Sequence, residues 1–211
     1  MTSQMGLMLA LMEPPAGLGE EFADWYDTEH LPQRRGLPGF LNGFRWVAVE
    51  GFPRSLAAYD LASLAALDEP AYRAVSGAHS TPWSRRLLAR TARGGRMRVE
   101  VTQIWPGTAP CLPPHTLSRL LVARYARVAV QQAEAFVADA RERVAALQGI
   151  AQLRIFASRP ADGSAQIECW LLIEFDAPTT LSMLAPLLGQ VGGHGADVFN
   201  LYAPWDKSGG S

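Results

Sequence analysis

Apolar residues along this chain switch between two periods, and they do so twice in the same order. Gly6 to Met12 is a short continuous apolar run ended by Glu13-Pro14-Pro15, the pattern of a strand. From about Leu18 to Leu31, the positions Phe22, Trp25, Tyr26 and His30 recur at three- and four-residue steps, which predicts a helix carrying these four on one inward face. Pro32 disfavours helical geometry at Leu31 and is expected to end that helix. Phe40 to Glu50 and Leu56 to Leu61 read as strands, Ser63 to about Ala92 as interrupted helix, and Met97 to Trp105 as a strand. The order is β-α-β-β-α-β.

Residues 106–116, with four prolines and no periodic apolar pattern, have the composition of a connector. Beyond it the order recurs. Leu117 to Tyr125 predicts a strand, Val130 to Leu147 a helix stopped by Gly149, and Ala151 to Ala157 and Ile167 to Phe175 two more strands. A shorter helix from about Thr179 and a last strand, Val198 to Ala203, complete the series. At a shift of 110 residues the halves align without a gap over the β-α-β portion, Leu7 with Leu117, Leu11 with Leu121, Gly39-Phe40 with Gly149-Ile150. The expected fold is therefore α+β: two ferredoxin-like βαββαβ units, 1–105 and 117–211, forming an intramolecular, pseudo-dimeric α+β barrel. Two helices on one sheet face leave the other face apolar, and the second unit can cover it. A pseudo-dimeric monomer is expected, with further homodimerisation through exposed edges left open.

Composition narrows the function classes. Hydrophobic residues make up 48% and charged residues 18%, enough for a buried core and too little charge for disorder. The formal net charge is −1, with 19 basic against 20 acidic residues, so nothing overall draws the chain to nucleic acid. Eighteen of the basic residues are Arg and only Lys207 is Lys, a bias that reads as GC-rich, bacterial genomic composition. Cys111 and Cys169 sit in unlike settings and support neither a disulfide framework nor a metal site. No run approaches the ~18 apolar residues of a membrane span, and the Met5 to Met12 segment lacks the features of a signal peptide. A cytoplasmic protein with no membrane partner is the expectation.

One segment carries a family signature, Trp25-Tyr26-Asp27-Thr28-Glu29-His30-Leu31-Pro32 followed by Pro38-Gly39-Phe40. It resembles the EthD-like branch of the dimeric α+β barrel superfamily, with supporting matches at Tyr59 and in the Pro70 to Tyr72 and Thr81 to Trp83 regions. The resemblance covers the first 105 residues and reaches the second half only by layout. It implies the fold strongly and the reaction weakly, since such barrels include cofactor-free oxygenases, isomerases, cyclases, haem enzymes and proteins without known activity.

His30 is the leading candidate for chemistry, because an imidazole near neutrality can both accept and donate a proton. The plain alternative is a structural histidine held at a helix end. The alignment sets Ala140 opposite His30 and Phe136 opposite Tyr26, so the second half manages without the imidazole. Tyr26 is the candidate assistant, a donor to a developing oxyanion. Trp25, Arg45, Trp46, Tyr59 and Trp83 are candidate substrate contacts, with Trp25 also read as packing, and Asp27 and Glu29 as solvated carboxylates. Strand alternation sets Arg45 on the face opposite Phe40, Asn42, Phe44 and Trp46, and a buried Arg45 needs a partner, either a substrate carboxylate or a protein one such as Asp60. His79 and His194 read as loop residues, and the glycines around His194 follow no phosphate-binding pattern. The run Arg85, Arg86, Arg90, Arg93, Arg96, Arg98 reads as a solvated face, with an acidic ligand as the sharper alternative. Without metal-ligand spacing or a serine-nucleophile motif, the expectation is a small-molecule enzyme that uses no cofactor and acts by acid/base catalysis on an aromatic or polyketide-like substrate, as cyclase, isomerase or monooxygenase. The rival readings are a non-catalytic binding or accessory protein and, third, a haem-binding barrel.

Overall fold

A computed structural model describes residues 4–161 and 163–205, without the side chains of 92–94. The side chain of Arg93 and all of Lys207 lie outside the described residues. The elements are β1 (Gly6–Met12), α1 (Gly19–Trp25), a π-helical turn (Tyr26–His30), α2 (Leu31–Arg35), β2 (Phe44–Glu50), β3 (Ser55–Leu61), α3 (Pro70–Arg73), α4 (Pro82–Gly94) and β4 (Arg96–Trp105). They continue with β5 (Arg119–Ala129), α5 (Ala133–Ala145), β6 (Ile150–Ala157), β7 (Gln166–Phe175), α6 (Leu181–Leu188), β8 (Gln190–Val191) and β9 (His194–Pro204).

The strands hydrogen-bond in the order β2-β3-β1-β4-β6-β7-β5-β9, every neighbour antiparallel, and pairing of β2 with β9 closes the eight of them into a barrel. The seams between the first four and the last four strands are β4 with β6 and β2 with β9. Closure gives each of the eight strands a partner on both sides over at least part of its length. Strand alternation divides the apolar residues between inside and outside. Leu7, Leu9 and Leu11 of β1 join Leu56, Val99, Val122, Trp170 and Leu172 in the barrel interior, whereas Met8 and Met12 point out beneath the first set of helices with Phe22, Trp25 and Tyr26. A third core lies under α5 and α6, around Phe136, Ala140, Ile155 and Leu171.

Several expectations are corrected. Pro32 does not end the first helix. The Leu31 N–H donates to Tyr26 O five residues back, a wider turn that relieves the clash a proline makes in a regular helix, and the chain stays helical to Arg35. The second strand opens at Phe44, because Phe40 makes only an isolated bridge to Leu61. The last strand begins at His194, four residues before the expected Val198, paired with β8 through Gly192 and Gly193. Both glycines have positive φ (58° and 79°), the requirement of a two-residue hairpin turn. That is why this glycine run exists.

One end of the barrel is closed by charge. Arg154 of β6 lies 2.7 Å from Asp60 of β3 and 2.8 Å from Glu174 of β7, all three at most 1% exposed. The connector crosses over them: the Cys111 N–H donates to Asp60 (2.5 Å) and the Leu112 N–H to Glu174 (3.1 Å). Burial pushes the Glu174 carboxyl above its ordinary range against the pull of Arg154.

Candidate functional site

The π-helical turn sets Tyr26 and His30 against the outer face of the sheet. The His30 ring lies 4.4 Å from that of Trp25 and 5.3 Å from that of Tyr26, the latter edge-on. Trp25 is anchored through its Nε1–H to Ser84 Oγ (3.0 Å), and Ser84 in turn donates to Glu29 (3.0 Å). Glu29 also accepts from Thr81 (2.6 Å), the residue whose hydroxyl caps α4. Glu29 is thus a tie between the first helix and α4, not a solvated carboxylate. Gly43 lets Tyr59 press against the backbone, since a Cβ there would come within 2.7 Å of the ring.

His30, 9% exposed, borders a cavity of about 60 Å³. Its floor is Met8, Ala10 and Met12 of β1; its walls are Tyr59, Tyr72, Arg34, Arg96 and Arg98; Ser76, Gly77 and Ser80 form its rim. Tyr26 stands behind His30 and does not line it. His30 Nδ1 is buried here without a hydrogen-bond partner, and the buried hydroxyls of Tyr26 and Tyr59 face each other and bond nothing else. In most cores a buried nitrogen of this kind is satisfied. Burial, reinforced by Arg34 and Arg96, drives the imidazole pKa down to about 3, so His30 is neutral at physiological pH. Burial pushes the Tyr26 and Tyr59 hydroxyls up, so both stay protonated.

The remaining candidates separate. Arg45 is buried and paired with Asp27 (2.5 Å), not Asp60, because Arg45 faces out toward the helix while Asp60 faces into the barrel. Its guanidinium lies between the rings of Tyr26 (4.7 Å) and Trp205 (4.5 Å). Asp27 is therefore an ion-pair partner rather than a free carboxylate. Trp46 packs in the barrel interior and Trp83 donates to Glu21 (3.1 Å), both away from the His30 cavity. His79 is exposed. Residue periodicity passes over Arg34, and by sequence Arg96 and Arg98 group with a solvated run; the strand register of β4 against β1, which sets Arg98 opposite Ala10 and Arg96 opposite Met12, brings them to this cavity. Among the described residues no group of His, Cys, Asp and Glu could hold a metal ion. None of the described helices is long and apolar enough to cross a membrane.

No family model and no curated protein matches the chain. Solved structures do. An anthrone oxidase-like protein superposes with a TM-score of 0.63 at 10% identity, covering 97% of this chain and 92% of that one. A haem-binding protein from Thermus thermophilus matches with 0.53 at 12% identity, covering 97% and 92%. A candidate monooxygenase from Fusobacterium nucleatum matches with 0.50 at 9% identity, covering 97% and 96%. Chlorite dismutase-like proteins are also among the neighbours. The fold is that of the dimeric α+β barrels. At this identity the likeness carries no function. A porphyrin has no room beside His30, which faces about 60 Å³ and is packed on Trp25.

Proposed function

We propose that this protein is a small-molecule enzyme in which neutral His30 acts as general base on an aromatic or polyketide-like substrate, with Tyr59 and the cavity arginines receiving the oxyanion that forms. The observation that carries this reading is the unpartnered His30 Nδ1, with the Tyr26 and Tyr59 hydroxyls bonding only each other, beside a cavity walled by three arginines. A buried imidazolium next to those arginines is unfavourable alone, so His30 gains basicity only as a negative charge develops beside it. The proton moves from an acidic C–H or O–H of the substrate to the imidazole. The resulting enolate or phenolate oxygen accepts from Tyr59, while Tyr26 holds the imidazole edge and acts as a positioning residue. This first step is common to cyclase, isomerase and monooxygenase chemistry. The cavity admits the reacting group alone, about two water volumes, so the body of the substrate lies under the rim Ser76 to Ser80.

The likeness to an anthrone oxidase-like protein makes anthrone the first substrate to assay. The expected result is turnover that His30→Gln lowers by about 100-fold or more. Equal rates for the two proteins remove His30 from the chemistry. The limited cavity supports the second reading, a small-ligand binder without chemistry, and saturable binding of anthrone with no product would favour it. We further read the chain as a tandem pair of EthD-like βαββαβ units, 1–105 and 117–211, joined by the 106–116 connector and acting as a pseudo-dimer; the strand orders β2-β3-β1-β4 and β6-β7-β5-β9 support this.

A further inference from the structure

The two ends of the barrel interior differ. One is closed by Asp60, Arg154, Glu174 and the connector. At the other, β6 stops at Ala157 while β4 runs back to Arg96, so residues 97–101 of β4 pair with β1 but have no strand on their second side. The inward positions of β5 run from Leu120 and Val122 on to Arg124 and Ala126, and those of β7 from Leu172 and Trp170 on to Glu168. Between them the barrel opens into a cavity of about 440 Å³, within the range of small-molecule sites, about 300–1,000 Å³. It shares only Arg98 with the His30 cavity, and its other lining residues are distinct.

Its chemistry is two-sided. Met97, Val99 and Ala126 give it an apolar floor, backed by the fully buried Val101 and Trp170. The Arg124 guanidinium lies 5.9 Å from the Trp170 indole, is tied to Asp197 (2.9 Å), and keeps a buried Nε without a partner. At the mouth the carboxylates are engaged, Glu100 by Arg98 (2.5 Å) and Glu168 by the Trp170 Nε1–H (3.2 Å). Arg127 and Arg159 enter no ion pair among the described residues. Arg127 also holds φ at +59°, a left-handed conformation unfavourable for arginine, at the bulge where β5 loses register with β7. An apolar floor beside Arg127, which enters no ion pair among the described residues, and Arg124, which shares its guanidinium with Asp197, suits one class of molecule, and a guanidinium recognises a carboxylate through paired N–H donors. We propose that this open end is a second ligand site, which takes a small apolar molecule bearing a carboxylate, its body on Met97, Val99 and Ala126 and its carboxylate on Arg124 and Arg127.

Calorimetry with 2-naphthoate and its neutral analogue 2-naphthamide tests the proposal. Expected are saturable one-to-one binding of the naphthoate, binding of the amide weaker by about tenfold or more, and a similar loss in Arg124→Gln. Ala126→Trp, which fills the mouth without removing a charge and serves where Arg124→Gln does not fold, should abolish binding, and His30→Gln should leave it unchanged. Absence of saturable binding to the unmodified protein overturns the proposal. So does naphthoate affinity that survives Ala126→Trp, or that is lost in His30→Gln, which would put the molecule at the other cavity.

Discussion

The outer faces of the two halves meet the same sheet with opposite solutions. At a spacing of 110 residues, Tyr26 corresponds to Phe136, His30 to Ala140 and Arg34 to Val144. In the second half those positions are apolar, at most 5% exposed, and continuous with one core; the buried hydroxyl of Tyr125 donates to Leu188 O at 2.5 Å. In the first half the same helix face carries a neutral imidazole, a buried guanidinium and the Tyr26 hydroxyl, which meets that of Tyr59 on β3, and His30 Nδ1 is left unpartnered. Packing of this fold therefore needs none of that polarity, as the second half demonstrates. A buried polar atom left unsatisfied costs stability, and the concentration of polar groups around it on one face marks that face as built for something besides packing.

The largest break in the contrast comes from moving the imidazole across. Ala140→His forces an unpartnered ring into a filled core and should cost about 4 kcal/mol by urea denaturation, overpacking and burial of a polar group adding together. A cost under about 1 kcal/mol would mean that the second face has room for the ring and that the halves are not distinct. Next is acid. His30 has a folded pKa of about 3 against an ordinary 6.5, so between those values the unfolded chain binds the extra proton and stability falls as pH falls. From pH 6.5 to 4 the loss attributable to His30 should be about 3 kcal/mol, and His30→Gln should remove that slope. An unchanged slope would show a solvated imidazole. The smallest effects come from one substitution made in both halves. Tyr125→Phe strands the Leu188 carbonyl and should destabilise by about 1 kcal/mol, whereas Tyr26→Phe deletes a hydroxyl that bonds only the Tyr59 hydroxyl and should stay within about 0.5 kcal/mol of neutral. Equal costs at the two tyrosines would erase the comparison.

Much of the fold is legible along the chain because the apolar period switches cleanly between strand and helix, and the inward stripe Phe22, Trp25, Tyr26, His30 follows from spacing alone. The misreading at Pro32 has a local cause: a proline excludes the regular helical bond but not a wider turn, and only packing on both sides decides whether the chain leaves or widens. Arg45 illustrates a second limit. Its need for a partner is readable, but the choice between Asp27 and Asp60 depends on which way each points across the sheet.

By itself the sequence determines the order and type of elements, the face on which His30 lies, and the absence of its counterpart in the second half, since each of these rests on spacings within a single element. Only the tertiary structure decides that Arg96 and Arg98 reach the same cavity as His30, that Asp60 meets Arg154 across 94 residues of chain, and that one end of the barrel is sealed while the other stays open. Those contacts join strands distant in sequence, and their register is set by closure of the whole barrel rather than by any local pattern.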